Sequence, residues 1–496
     1  MAAIITEKFR THNAKQFKED FGESASSTYI FIGRSHSWPV DTSPPVPVNG
    51  TSEEMDAFDD MLSMKKVSSG DVSHCLPRYD WTSGTIYDEY AHDYSSTNTS
   101  PTGSSTLWGG KFYVLTDDYN VYKCIRTARD SNGAVAASNV KPTGTSATDL
   151  IYTSDVDNSN NAYPQGYIWK YMYTVTAADT IKYVTSDFIP VKTLGAVAAV
   201  AGTGANGGLG TVATNDSSAL WDVENSAVSG AIYHVRVDNG GASYTPGTYT
   251  NVPVAGDGSG ATCSVVVGSD GAIDSVNMTA GNSPAYGTGY KRASIELAES
   301  GQSGLVAGAG AVLTPIISPM NGHGADPVEE LGGNHIIVNT RFEFAEGSGD
   351  FPTDNDFRRI GLLQDPFAVG TTSVFTSTTA NVCSKMTLDN ASALEVDDLI
   401  ASAGTEVAGT AKSRVISVSG NVVTHQPIAN AKGQYVAFTA ADTVFRGSSS
   451  ISDVDSVNAN FPEVERFTGN LLYVENRGAV TRAADQIEDI KLIIEM

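Results

Sequence analysis

The sharpest cluster of side chains able to do chemistry is His323, Asp326, Glu329, Glu330 and His335, within GHGADPVEELGGNH. Imidazole and carboxylate together could hold a divalent metal. Pro327 and the surrounding glycines favour a turn-rich linker with solvated acids instead. Asp350, Asp354 and Asp356 in SGDFPTDNDF form a second oxygen-rich set, but without the spacing of an EF-hand loop. Gly202, Gly204 and Gly207 have G-x-G-x-x-G spacing, which serves a dinucleotide only between a strand and a helix. The residues that follow, LGTVATNDSS, make a poor helix, so a Gly-rich loop is the simpler reading. There is no G-x-x-x-x-G-K-[ST], no H-E-x-x-H and no G-x-S-x-G. Triads and carboxylate pairs meet in space rather than in sequence, and 56 acidic residues make accidental pairs easy. These residues point to no catalytic activity, no cofactor and no bound metal.

The elements that would position such groups are short and numerous. The chain has 496 residues, 48 of them glycine, with hydrophobic residues at 41% and charged residues at 18%. That is enough apolar content for real cores, and the many turn residues between β-branched runs predict a mainly β fold. The formal net charge is −25, which repels phosphate and so excludes general nucleic-acid binding and disfavours an anionic membrane surface. No stretch reaches the ~20 apolar residues of a membrane span, and the first residues lack the apolar run of a signal peptide. Cys75, Cys124, Cys263 and Cys383 are scattered without a CxxC, as expected of buried free thiols in a chain assembled in a reducing cytoplasm.

Along the chain, Ala14, Phe17 and Phe21 have helical spacing with Gly22 as a stop. TSEEMDAFDDMLSM reads as a second helix, with Thr51 and Glu54 at capping-box spacing and Met55, Phe58 and Leu62 on one face. Tyr29–Ile32 reads as a strand, as do KFYVL, NVYKCIR, GYIWKYMYTV and IKYVTSDFIPV. In GYIWKYMYTV, Tyr167, Trp169, Tyr171 and Tyr173 alternate with Ile168, Lys170 and Met172 and give one aromatic face. That stripe could stack on sugars or bases, but a sandwich core or an interface is the more economical reading.

The composition changes near Gly195, beyond which the chain is Gly-rich and poor in aromatics. Ile232, Val235, Gly240 and Tyr244 are echoed by Ile273, Val276, Gly281 and Tyr286, suggesting duplicated small β-units. A second block from about 371 to 447 contains KSRVISVSGNVVTHQPI, a hairpin turning at Ser419-Gly420-Asn421, and suits a small barrel or sandwich. LLYVEN and EDIKLIIEM near the C-terminus both read as strands, paired in the main body, with Ile490, Leu492 and Ile494 on one face.

Several segments, in order, resemble the baseplate wedge subunit family of T-even-type contractile-tailed phages, the gene eight product family. They are FRT at Phe9–Thr11, IFIGRSHSW at Ile30–Trp38, LPRYDW at Leu76–Trp81, VYKCI at Val121–Ile125, GYIWKYMY at Gly166–Tyr173, NDFRRIGLLQDP at Asn355–Pro366 and LLYVENRGAVTRAADQIEDIKLII at Leu471–Ile494. The resemblance covers about half the chain and fails across 196–333 and 371–455. It implies a multilayer β-sandwich with a few loop helices. The body is then 1–195 with 334–370 and 456–496, carrying an inserted Gly-rich β-domain (196–333) and an inserted small barrel or sandwich (371–455). It also implies a structural subunit of the virion's tail baseplate, not an enzyme, partnered by itself as a homodimer and by other wedge proteins. The structural or interface candidates are Arg34, Trp38, Arg78, Trp81, Tyr167, Trp169, Tyr171, Arg358, Tyr473, Asn476 and Arg477. The tryptophans read as large cores or anchors, and the arginines as bidentate donors that pin loops in an acidic protein. A tail receptor-binding or glycan-binding module is the alternative, suggested by the Gly-rich β-repeats and the tyrosines, and a polysaccharide-degrading tail enzyme is a further one.

Overall fold

The computed structural model describes residues 3–496 except 24, 131–133, 155–165, 195, 198–211, 214–217, 281–282, 344–350, 352, 354 and 484–485. The fold is mainly β, with several sheets and few helices. The chain divides into two compact units. One comprises 1–14, 73–336 and 494–496, and the other 15–72 and 337–493.

The second unit is built around TYIFIG. All six residues of the Thr28–Gly33 strand are buried, as expected of a strand covered on both faces. It is the central strand of a five-stranded antiparallel sheet in the order Thr379–Asn381, Met61–Lys66, Thr28–Gly33, Asn355–Gln364, Asn470–Arg482. Tyr29, Phe31, Met64 and Leu363 pack in one apolar cluster with Phe58 from the Thr51–Asp60 helix. The buried Tyr29 hydroxyl donates to the carbonyls of Phe375 and Ser377, both at 2.9 Å. Gly361 lies where a Cβ would strike the Phe31 ring, so only glycine lets that ring cross the sheet.

The sequence reads helix through Met64, whereas the helix stops at Asp60 and Met61–Lys66 is a strand. Pairing with Thr28–Gly33 buries Met61, Leu62, Ser63 and Met64 together, which a single helical stripe could not do. Thr51 is also the first helical residue rather than the cap, which is Gly50.

Within the same unit a closed barrel runs from Ser384 to Val457. Its strand order is Ser384–Leu388, Val422–Pro427, Lys412–Ser419, Leu399–Ala401, Thr443–Arg446, Ser449–Val457, closing back on the first. Closure leaves no free edge. Met386, Leu388, Ile400, Val415, Val423, Phe438, Val444 and Val454 fill it. Its hairpin turns through Gly420 at φ 59°, with Ser419 paired to Val422, so the tight turn is two residues long. The C-terminal strand Glu488–Glu495 lies beside His335–Phe342, with Ile490 and Leu492 buried and Ile494 half-buried. LLYVEN lies instead in the five-stranded sheet, so the two C-terminal strands do not pair with each other.

In the first unit a four-stranded sheet runs Tyr113–Leu115, Asn120–Arg126, Ile168–Thr174, Ile151–Tyr152. The Gly-rich region adds a long two-stranded ribbon, Ile232–Ala242 with Ala309–Ile317. It also adds a four-stranded sheet of Gly247–Pro253, Ser259–Val267 and Ile273–Asn277, with Tyr286–Thr288 also paired to Ser259–Val267. Ile232, Val235 and Tyr244 share one apolar cluster with Ile273 and Val276. The echoed motifs therefore build a single core rather than separate repeat units. Gly281 lies outside the described residues.

The barrel supplies a pH test. His425 is buried, its Nδ1 2.9 Å from Ser413 Oγ, and burial pushes its pKa down to about 3, helped by Arg466. The unfolded chain takes up this proton below about pH 6.5, which the folded barrel refuses. His425 therefore contributes stability above that pH and loses it as pH falls, by about 1.4 kcal/mol per pH unit. Urea unfolding between about pH 7 and pH 5 should show this slope, shallower in His425→Gln. Equal slopes in the two proteins would contradict the assignment.

Candidate functional site

In the second unit the sequence-selected residues converge. Arg358 and Arg359 are consecutive in the Asn355–Gln364 strand, where its register with Asn470–Arg482 is broken by a bulge. Both are buried. Arg358 holds the loop after the Thr28–Gly33 strand. Its Nε and Nη2 donate to the two oxygens of Asp41, both at 3.0 Å, its Nη2 donates to Asp356 at 2.9 Å, and its Nη1 donates to the Ser35 carbonyl. Arg359 donates to Glu53 at 2.5 Å and to Asn476 Oδ1 at 2.9 Å, and its Nη1 lies 3.2 Å from Asp60.

Arg34 adopts φ 60°, which aims it back at Asp60 at 3.4 Å. Its guanidinium carbon sits 3.6 Å above the Trp38 ring. The Trp38 indole N–H donates to the Arg477 carbonyl at 3.0 Å, and Asn476 Nδ2 donates to the Pro45 carbonyl at 3.1 Å. The proline-rich segment after Trp38 is thus tied by its backbone to the Asn470–Arg482 strand. Burial pushes the Asp60 carboxyl up, against the downward pull of Arg359 and Arg34. Burial, then the Arg34 charge, pushes His36 down to about 4. The Arg477 side chain itself is exposed, and Tyr473 is half-buried with its hydroxyl donating to Glu475 at 3.1 Å.

The remaining selected residues lie in the first unit. Tyr167, Trp169 and Tyr171 are fully buried. Tyr167 stacks on Trp169 at 5.3 Å between ring centroids, and Tyr87 meets Trp169 edge-on at 5.8 Å. The stripe is core of this unit and presents no face on which a sugar or base could stack. Trp81 donates to Ser138 Oγ at 3.1 Å, and Arg78 bridges Asp80 at 2.8 Å and the Thr185 carbonyl at 2.9 Å.

The His323–His335 cluster does not converge. Asp326 caps the short Pro327–Leu331 helix through the Glu329 N–H, and His323 is buried between Tyr90 and Tyr233. Glu330 is not a solvated acid. It is buried and pairs with Lys123 at 3.0 Å, while its other oxygen accepts from the Gly324 N–H at 2.7 Å. Lys123 lies 4.2 Å from the Tyr90 ring centroid, and burial pushes its pKa down against the pull of Glu330. Lys170, also buried, donates to the Ala147 carbonyl at 2.9 Å, and burial lowers it to about 8. Sequence reasoning missed both lysines. The only signal for them was a lysine inside a strand otherwise made of buried residue types. Asp356 pairs with Arg358, whereas Asp350, Asp354 and the glycines at 202–207 lie outside the described residues. Among the described residues, no three His, Cys, Asp or Glu side chains are grouped to hold a metal ion. The four cysteines are buried and unpaired.

Residues 3–199 match the family described as bacteriophage T4 Gp8. A curated relative, the baseplate wedge protein gp8 of Enterobacteria phage T4, is 24% identical over 210 residues, covering 38% of this chain and 60% of the relative. The chain thus spans about 60% of the length of the curated relative it matches. The resemblance seen in the sequence is shown over 3–199, and the segments at 355–366 and 471–494 lie beyond that match.

The buried guanidinium–carboxylate network yields a stability prediction. Arg359→Ala removes one of the two cations facing the buried Asp60 and the partner of the half-buried Glu53, which costs about 2–4 kcal/mol, less than the loss of a buried charge's sole partner. Arg477→Ala removes an exposed side chain and leaves its carbonyl in place, so its effect stays within about 0.5 kcal/mol. Urea unfolding of the two variants checks this, and similar losses in both would contradict the role given to Arg359.

Proposed function

We propose, from the similarity of residues 3–199 to the T4 gp8 family, that this chain is a structural subunit of a phage tail baseplate wedge. In this reading it acts by docking alone. It forms a homodimer, links neighbouring wedge proteins, is assembled in the host cytoplasm and resides in the virion's tail baseplate. The match to the family is the observation that carries the proposal. The segments 196–333 and 371–455 are read as additions to the family's body, which fits a match ending at residue 199.

The physical chemistry supports rigid docking. Arginines tie loops to strands inside the second unit rather than lining an open reactive cleft. The Asn470–Arg482 strand ends its sheet and exposes Leu472 and Arg477, with Tyr473 half-buried between them. An edge strand offers unpaired backbone groups and side chains to a partner. Copies of a chain with charge −25 repel each other, so a dimer interface needs an apolar centre, while partners bearing Arg or Lys suit the acidic surface. An obligate interface of this kind buries roughly 2,000–5,000 Å² in total.

Light scattering of the purified chain should give twice the chain mass at micromolar concentration, over a range of salt. Mixing with the other wedge proteins of the same phage should give a stable complex, which Arg477→Glu weakens without lowering the melting temperature. A monomer at all these concentrations would refute the dimer. A wild-type chain that binds no wedge protein would refute the docking role.

A further inference from the structure

Arg126, in the first unit, is a buried cation without a hydrogen-bond acceptor among the described residues. Arg126 ends the Asn120–Arg126 strand, paired with Ile168, and is 7% exposed. Its Nε is buried without a hydrogen-bond partner. Among the described residues its guanidinium donates no hydrogen bond and has no carboxylate within ion-pair distance. Arg236 nearby is the opposite case. It is held by Asp93 at 2.7 and 3.1 Å and by Asp238 at 2.6 Å. Glu89, a buried acid whose charge acts on Arg126, is also engaged elsewhere. One of its oxygens accepts from the backbone N–H and the hydroxyl of Thr127, at 2.9 and 3.0 Å, and the other is 3.9 Å from His234 Nε2.

Arg126 and His234 line two cavities, of about 240 Å³ and about 300 Å³. The first is walled by Arg129, Arg236, Asp270 and Asp274, the second by Tyr152, Tyr233 and Tyr286. His234 is buried, and burial together with Arg126, Arg129 and Arg236 holds its pKa far down, so it stays neutral. Arg126 keeps its charge at neutral pH, since burial lowers it only to about 10.

We propose that Arg126 and the two cavities form a binding site for a small ligand bearing an oxyanion, either carboxylate or phosphoryl. A planar guanidinium presents paired N–H groups that match two oxygens of such an anion. A buried cation left without a partner is costly, and an entering anion relieves that cost. Asp270 and Asp274 accept hydrogen bonds from hydroxyls elsewhere on the ligand. The tyrosines supply the apolar faces usual in small-molecule sites. The site does not depend on the baseplate reading.

The test uses the full chain, titrated separately with sodium glucuronate and sodium phosphate against sodium chloride of matched ionic strength. Calorimetry should show saturable one-site binding of at least one anion, with a parallel rise in melting temperature. Binding of glucuronate assigns a carboxylate ligand, and binding of phosphate alone assigns a phosphoryl ligand. Arg126→Gln should abolish the binding. Arg126→Lys, which keeps the charge but loses the fork, should weaken it by about tenfold or more, and it carries the test if the glutamine variant does not fold. Failure of both anions to bind the wild-type chain, or wild-type binding by the lysine variant, would overturn the proposal.

Discussion

A buried guanidinium is costly unless acceptors or opposite charges surround it, and the second unit is organised around two such arginines. Arg358 and Arg359 occupy adjacent positions of an inner strand, at a bulge in its pairing with Asn470–Arg482. The partners of one, Asp41 and Ser35, lie more than 300 residues away in sequence, and so does Glu53, a partner of the other. Each guanidinium therefore closes a long loop onto the sheet. The proline-rich segment after Trp38 has little regular structure of its own and gains its position from these contacts and from the indole bond to Arg477. Such pairs are weak evidence of net stability, because desolvation offsets much of the attraction. Their geometric consequence is that the loop is held at several points at once, through Asp41, Ser35 and Glu53.

The first unit meets the same requirement with lysine. Lys123 and Lys170 stand inside a sheet whose neighbouring positions are Tyr and Trp. Glu330, brought in by a five-residue helix, pairs with Lys123 and lends a favourable charge to Lys170, which donates to the Ala147 carbonyl. Arg126, on the same strand as Lys123, is the exception, with its guanidinium left to the cavities. An acidic chain thus places some of its scarce cations in the interior. The chain as a whole keeps a strongly negative formal charge.

Much of this was legible in local pattern. The tyrosine stripe follows from period-two alternation, the Tyr29–Ile32 strand from a short continuous apolar run, and the hairpin at Gly420 from turn chemistry, all of which act over a few residues. Met61–Met64 was read as helix because a helical stripe extends through Leu62, and only pairing with a strand some thirty residues upstream decides otherwise. Glu330 was read as solvated because its ion partner lies 207 residues away. Arg126 gave no signal at all, since an arginine at a strand end is ordinary until its neighbours are known. The selected Arg34, Trp38, Arg358 and Asn476 do meet in space, whereas Arg78 and Trp81 belong to a different neighbourhood in the other unit.

The family match covers the N-terminal two-fifths of the chain, and the wedge role proposed for the whole chain rests on it. The most direct measurement is a map of the intact phage tail at a resolution that separates subunits, with this chain located by fitting its closed barrel and its five-stranded sheet. The account predicts density for the chain within the baseplate, contacting wedge neighbours. Density only at fibre tips, or no density for it anywhere in the tail, would contradict it.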